Sequence, residues 1–243
     1  GGGVRAVACG LLKSSLQNQP RKPIQLAHSY SSIKDFESCA KKYHEVRILK
    51  RFKQGDTQAT LYGTEVHKAC EEFIRDKKPL PTHFENYLPF VEPFAELSGE
   101  FHCELKMAIR EDFTPCEFFD KGVWFRGIPD LLIVDREKGT ARVVDWKTGK
   151  SSRYADTAQL ELLAGMVFSH YPEVTKVRGA LVFLVANDVV KAEFTRDQYA
   201  EIMSKWAGKA DQIVQALGHG TWNPRPGPLC KFCPVHDCQH NRS

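Results

Sequence analysis

Two strand-like runs, residues 123–135 and 141–146, flank the turn signal Glu137-Lys138-Gly139 and read as a β-hairpin. Centring the turn between Glu137 and Lys138 places Asp130 directly across from Asp145. Side chains alternate along a strand, so Lys147 shares the face of Asp145. Two opposed carboxylates destabilise a sheet unless a cation lies between them. Asp135 suits an ordinary turn-capping role, whereas Asp145 follows Arg142-Val143-Val144 inside what should be a central strand. Asp130, Asp145 and Lys147 together point to a metal-dependent hydrolytic site. Hard divalent ions favour carboxylate oxygens, and a nearby lysine can orient a water or stabilise developing charge.

The surrounding pattern is mixed. A capping box at Ser32 and Asp35 predicts a helix carrying Ile33, Phe36, Ala40 and Tyr43 on one face and continuing into a basic stretch. Further helices are predicted over residues 60–75, 85–97 and 155–168, with strands over 101–109, 177–185 and 189–194. A second box at Thr195 and Gln198 opens a last amphipathic helix that Gly218 should stop. This order predicts an α/β chain with a mixed central sheet flanked by helices. Residues 1–27 read as a flexible arm or non-native remnant, and 28–243 as a single domain with a cysteine-rich tail over 228–243. Val4 to Leu12 is interrupted by Arg5 and Gly10, so a signal peptide is not expected, and no run is long enough to span a membrane.

The motifs and their order resemble the RecB-like branch of the PD-(D/E)XK nuclease superfamily, which includes the AddB nuclease domain, CRISPR-associated adaptation nucleases and phage exonucleases. Gly127-x-x-Asp130 looks like the second motif of that branch. Asp145-x-Lys147-Thr148-Gly149 looks like the third, and Gly63-x-x-x-His67 like the upstream histidine motif. The resemblance implies a restriction-endonuclease-like core. In it His67, Asp130, Asp145 and the Trp146 carbonyl would hold Mg²⁺ or Mn²⁺, with Lys147 catalytic and Glu104 serving a second ion or positioning water. The branch usually carries Gln-x-x-x-Tyr on the next helix, and here Gln159 is followed by Leu163. Gln159, in an apolar helix, needs a hydrogen-bond partner and is expected to contact the site or DNA.

Of the eight cysteines, Cys39, Cys230, Cys233 and Cys238 resemble the set that binds a 4Fe–4S cluster in some members. A zinc knuckle using Cys230, Cys233, Cys238 and His236 or His240 is the rival, and a reduced, metal-free tail the plain alternative. Net charge is only +4, so total charge does not argue for nucleic acid. The clusters Lys41, Lys42, Arg47, Lys50, Arg51, Lys53 and Lys147, Lys150, Arg153 are more suggestive of phosphate contacts. Tyr43, Phe52, Trp146 and Tyr154 are candidates for stacking on unpaired bases, with core packing the plain alternative for each.

The expected activity is a Mg²⁺- or Mn²⁺-dependent deoxyribonuclease, an exonuclease acting on single strands or duplex ends in recombination, replication or phage DNA processing. Replication or recombination proteins are the expected partners, and the cytoplasm of a bacterium or phage host is the expected location. The alternatives are a CRISPR adaptation nuclease and a non-catalytic DNA-binding protein with a zinc tail.

Overall fold

The computed structural model describes residues 25–241, so most of the proposed N-terminal arm, with Cys9, lies outside the described residues. Helix α1 (Tyr30–Ser38) starts one turn earlier than the sequence suggests. Ser29 is its N-cap and Ser32 completes the box, while Asp35 is engaged by Arg47 Nε at 2.6 Å. Cys39 is extended at φ −164°, which separates α1 from the single turn α2 (Ala40–Tyr43) and the π-helical turn His44–Ile48 that follows. Helix α3 (Gln58–Asp76) is capped by Thr57 and Thr60. The third predicted helix divides into a 3₁₀ segment, Thr82–Tyr87, and α4 (Leu88–Ala95).

The strands are β1 (Glu100–Cys103), β2 (Met107–Arg110), β3 (Pro115–Cys116), β4 (Val123–Gly127), β5 (Leu131–Asp135), β6 (Thr140–Lys147), β7 (Lys176–Phe183) and β8 (Asp188–Thr195). The main sheet has the order β1-β5-β6-β7-β8, and a smaller sheet has the order β3-β2-β4. Only β6 and β7 pair in parallel within the main sheet, joined through α5 (Ala158–His170) as the crossover helix. Helix α6 (Tyr199–His219) follows the Thr195–Gln198 box and ends at Gly220, whose φ of +65° provides the left-handed cap. Gly218 stays inside the helix, two residues before that stop.

Burial alternates along the central strands. Leu132, Val134, Ala141 and Val143 join the core built on α5 and α6, while Leu131, Ile133, Val144 and Trp146 join the core built on α3 and α4. Each face of the sheet is therefore covered by helices, the arrangement expected of a mixed α/β fold. Trp206 of α6 is 1% exposed, and its indole N–H donates to Glu161 Oε1 at 3.1 Å, so this large core residue leaves no polar atom unpaired.

Two predicted strands are each split between the sheets. Residues 101–109 divide at Glu104, which adopts φ +54°, and 123–135 divide at Ile128-Pro129-Asp130. Pro129 offers no N–H to a ladder. The breaks are one feature, because Glu104 N–H donates to the Asp130 carbonyl at 3.2 Å. The shared kink sets Glu104 beside Asp130 at the end of the hairpin.

His28 docks on β4, donating its N–H to the Trp124 carbonyl at 2.8 Å and accepting from Arg126 N–H at 2.8 Å. Its ring is 2% exposed, lies 5.4 Å from Phe125, and leaves Nδ1 without a partner. Burial pushes its pKa down from 6.5 to about 4. A base whose folded pKa is depressed weakens the fold as pH drops, because the unfolded chain takes up the proton first. The loss sets in below 6.5 and is complete near 4. Between pH 7 and pH 5 this residue alone should remove about 2 kcal/mol of stability. In urea unfolding at those two pH values, His28→Gln should show a correspondingly smaller pH dependence; the same dependence as wild type would contradict the assignment.

Candidate active site

The hairpin has the register read from the sequence: Leu131 faces Val144 and Asp135 faces Thr140, which brings Asp130 to the level of Asp145. Asp130 Oδ2 accepts the Trp146 N–H at 2.7 Å, tying the end of β5 to β6. The Trp146 ring is 2% exposed and meets Phe94 edge-on at 5.7 Å, which anchors this stretch of backbone from the opposite face.

Asp145 is 6% exposed and held by two neighbours. Lys147 Nζ lies 2.8 Å from Oδ2, and Gln159 Nε2 donates to Oδ1 at 2.9 Å. Lys147 Nζ also donates to Gln159 Oε1 at 2.9 Å, closing a three-residue ring. Gln159 thus has the partner its apolar helix demanded. Leu163 is 5% exposed and lies against Gly127, where an added Cβ would come within 2.8 Å of Leu163 Cδ2. The glycine of the second motif lets α5 approach the end of β4, and Leu163 fills that contact.

From the other side, α3 presents His67. Its Nδ1 bonds the Gly63 carbonyl at 2.7 Å and its Nε2 lies 3.1 Å from Asp130 Oδ2. Gly63 also faces the third motif, since an added Cβ would meet Thr148 Oγ1 at 3.2 Å. A larger residue there would press α3 away from the hairpin. Glu104, His67, Asp130, Thr148 and Glu71 line a groove of about 940 Å³ alongside α3.

The electrostatics match the crowding. Burial and the nearby Asp130 push Asp145 up to about 6, against the pull of Lys147 and His67. Burial, then Asp130 and Glu71, push Glu104 up to about 7. Burial pulls His67 down, but its bond to Asp130 and the field of that carboxylate more than offset this and raise it to about 9. Among the described residues, no group of three or more His, Cys, Asp or Glu side chains is arranged to hold a metal ion as it stands. His67 and the Trp146 N–H engage Asp130, while Lys147 and Gln159 engage Asp145. The donor set still fits a hard divalent cation: two carboxylates raise each other's energy, and an imidazole nitrogen reaches the same oxygen. Coordination requires His67 to give up the proton it shares with Asp130, because a metal-bound imidazole nitrogen is unprotonated.

Among the expected DNA contacts, Lys150 and Arg153 are exposed on the loop after the third motif, and Arg153 lies 5.3 Å over the ring of Tyr154, itself 84% exposed. Tyr43 differs from expectation. It is 3% exposed and stacked on Trp222 at 5.9 Å, so it is a core residue with no face free for a base. The basic stretch is partly neutralised, with Arg47 on Asp35 and Arg51 on Glu45 and Asp237. Asp156 was not foreseen. Burial works against its charge, but Lys34, the Tyr30 hydroxyl and the Ala158 N–H hold it down at about 2, and it ties α1 to the start of α5.

Cys39, Cys230, Cys233 and Cys238 line one small cavity at the junction of α2 and the C-terminal segment, and all four are free thiols. Backbone N–H groups of Arg225 and Gly227 donate to Cys39 Sγ and Cys230 Sγ at 3.4 and 3.3 Å. His240 lines the same cavity, whereas His236 packs edge-on against Phe52. Cys70 is buried within the α3 core, and Cys103 and Cys116 are half-buried on their strands.

A mixed sheet whose central hairpin ends in two carboxylates and a lysine, with a crossover helix supplying a glutamine behind them, is a restriction-endonuclease-like nuclease core. The profile of the PD-(D/E)XK nuclease superfamily matches residues 27–238, and the chain belongs to that superfamily. No protein of curated function matches the sequence. Among solved structures, one described as "Putative exonuclease" from Eubacterium rectale superposes with a TM-score of 0.52 at 16% identity, covering 89% of this chain and 88% of the other. That of SSO0001 gives 0.48 at 13% identity, with 91% and 90% covered. No helix among the described residues is long and apolar enough to cross a membrane.

Proposed function

We propose that this nuclease is a Mg²⁺- or Mn²⁺-dependent deoxyribonuclease of the RecB-like branch, acting as an exonuclease on DNA ends. The observation that carries the reading is the meeting of Asp130, Asp145 and Lys147 at one end of the hairpin, with Gln159 and His67 fixed against them. Asp130, Asp145 and His67, with the Trp146 carbonyl, would hold the ion, and Glu104 stands beside them for a second ion or a water. When bound, the ion polarises the scissile phosphoryl oxygen and lowers the pKa of a water. Lys147 orients the attacking water or meets the charge that develops on the phosphate. Gln159 keeps Lys147 and Asp145 in register, and Lys150 and Arg153 contact the phosphates beyond. The solved structure described as "Putative exonuclease" shares this fold, and that description is the support for action at ends.

In this reading residues 28–243 form one nuclease domain working in the cytoplasm, with replication or recombination proteins as partners. Its ends are joined by a 4Fe–4S cluster on Cys39, Cys230, Cys233 and Cys238. Support for the cluster is the convergence of all four thiols on one cavity with backbone N–H groups aimed at two of them. Anaerobically purified protein should contain iron and absorb in the visible; colourless protein with stoichiometric zinc would overturn the cluster. Exonuclease action is tested with end-labelled linear and circular DNA and Mg²⁺. Linear molecules should be degraded and circles spared, whereas nicking of circles at a comparable rate would overturn it.

A further inference from the structure

A second groove, of about 440 Å³, opens on the opposite side of the hairpin end from the α3 groove. Gln159, which holds both Asp145 and Lys147, is part of its wall, as are Gly127 and Ile128 of the second motif. The groove therefore borders the site through Gln159. Its size is that of a ligand pocket able to take one nucleotide-sized group.

The two grooves differ in charge. The α3 groove carries Glu71, Glu72, Glu104 and Asp130 against Lys68 and Arg75, whereas the charged residues lining the second groove are Arg47 and Arg126. Arg47 is already paired with Asp35, so the positive charge offered to a phosphate in the second groove comes from Arg126. His28 also lines the second groove and is 2% exposed, with its Nδ1 buried and unpartnered.

The clearest signal lies beside the groove. Phe118, which lines it, stands edge-to-face with Phe119 at 5.0 Å in the turn between β3 and β4, and Phe119 is 75% exposed. Two cations lie over these rings: Arg126 at 4.8 and 5.5 Å, and Lys106 at 5.7 and 5.5 Å from Phe118 and Phe119. An aromatic face open to solvent with cations beside it is the arrangement that stacks a base and neutralises its phosphate.

We propose that this groove binds the unpaired strand next to the scissile phosphate, with one base stacked on Phe119, so that the enzyme takes single-stranded ends in preference to paired ones. Bases inside a duplex are already stacked and offer Phe119 no face. This deepens the nuclease reading and rests on it for the identity of the strand as DNA.

The test is fluorescence anisotropy with a labelled single-stranded oligonucleotide and a blunt duplex of the same sequence, in chelator so that nothing is cleaved. Phe119→Ala should weaken single-strand binding about tenfold and change duplex binding less than twofold, while Phe119→Trp retains wild-type affinity. Because Phe119 is exposed, melting curves of the variants should match wild type. Equal single-strand affinity in wild type and Phe119→Ala, or equal losses on both substrates, would overturn the proposal, as would failure of the wild type to bind the single strand. Binding that depends on Phe119 without any cleavage in Mg²⁺ would keep the groove and remove the nuclease reading instead.

Discussion

Lys147→Ala should lower the rate of DNA cleavage by about 10³-fold or more, within the range seen when a positioned proton-transfer or charge-stabilising group is deleted. The lysine is the charged partner of Asp145 and is held by Gln159 on its other side. Its side chain is 34% exposed, so its removal leaves no cavity in the core. It does leave the buried Asp145 carboxylate without its ionic partner, so the melting temperature should fall by a few degrees, and assays run well below that transition separate a chemical loss from unfolding. Lys147→Arg should not restore activity, because a planar guanidinium cannot place one donor where the ammonium stands between Asp145 and Gln159. A Lys147→Ala protein that cleaves at the wild-type rate would remove this residue from the chemistry.

Asp145→Asn should abolish cleavage to a similar extent and at the same time make the protein more stable. The carboxylate is 6% exposed and faces Asp130, and these two influences hold its pKa at about 6 where the ordinary value is 3.8. An acid whose folded pKa is raised destabilises the fold once it ionises, so at pH 7 the charge opposes folding despite the bond from Lys147. The amide oxygen can still accept from Lys147 without carrying the charge, while the amide N–H groups face Gln159 Nε2, which must turn away. A gain of about 1 kcal/mol would raise the melting temperature by about 2–4 °C in a chain of this size. Measured without divalent ions, a fall in melting temperature would show that the Lys147 and Gln159 bonds outweigh the repulsion. Loss of function with gain of stability is the mark of a group kept for its chemistry.

The part of the site that was legible in the sequence lies on the hairpin. A turn at Glu137-Lys138-Gly139 and a strict period of two leave one register, and that register alone brings Asp130 level with Asp145 and puts Lys147 on the same face. Gln159 could be read as needing a partner, but not as bridging two residues of β6, because that depends on how α5 crosses the sheet. The split strands were hidden for a similar reason. Residues 101–109 and 123–135 keep an apolar pattern through the kinks, and Glu104 is held at φ +54° beside the Asp130 carbonyl, a contact between separate strands. Tyr43 looked available for DNA until Trp222, far along the chain, covered it. Arg51 likewise meets Asp237, a partner that no local spacing announces.

The central claim is that these carboxylates and Lys147 hydrolyse DNA with the help of a divalent ion. Its most direct test is the single-turnover cleavage rate of an end-labelled linear oligonucleotide by wild type and by Lys147→Ala, after chelation and again with Mg²⁺ restored. Cleavage by wild type that vanishes with chelator and returns with Mg²⁺, and that stays about 10³-fold lower in Lys147→Ala, is the expected result. Undiminished cleavage in chelator, or equal rates for the two proteins, would contradict it.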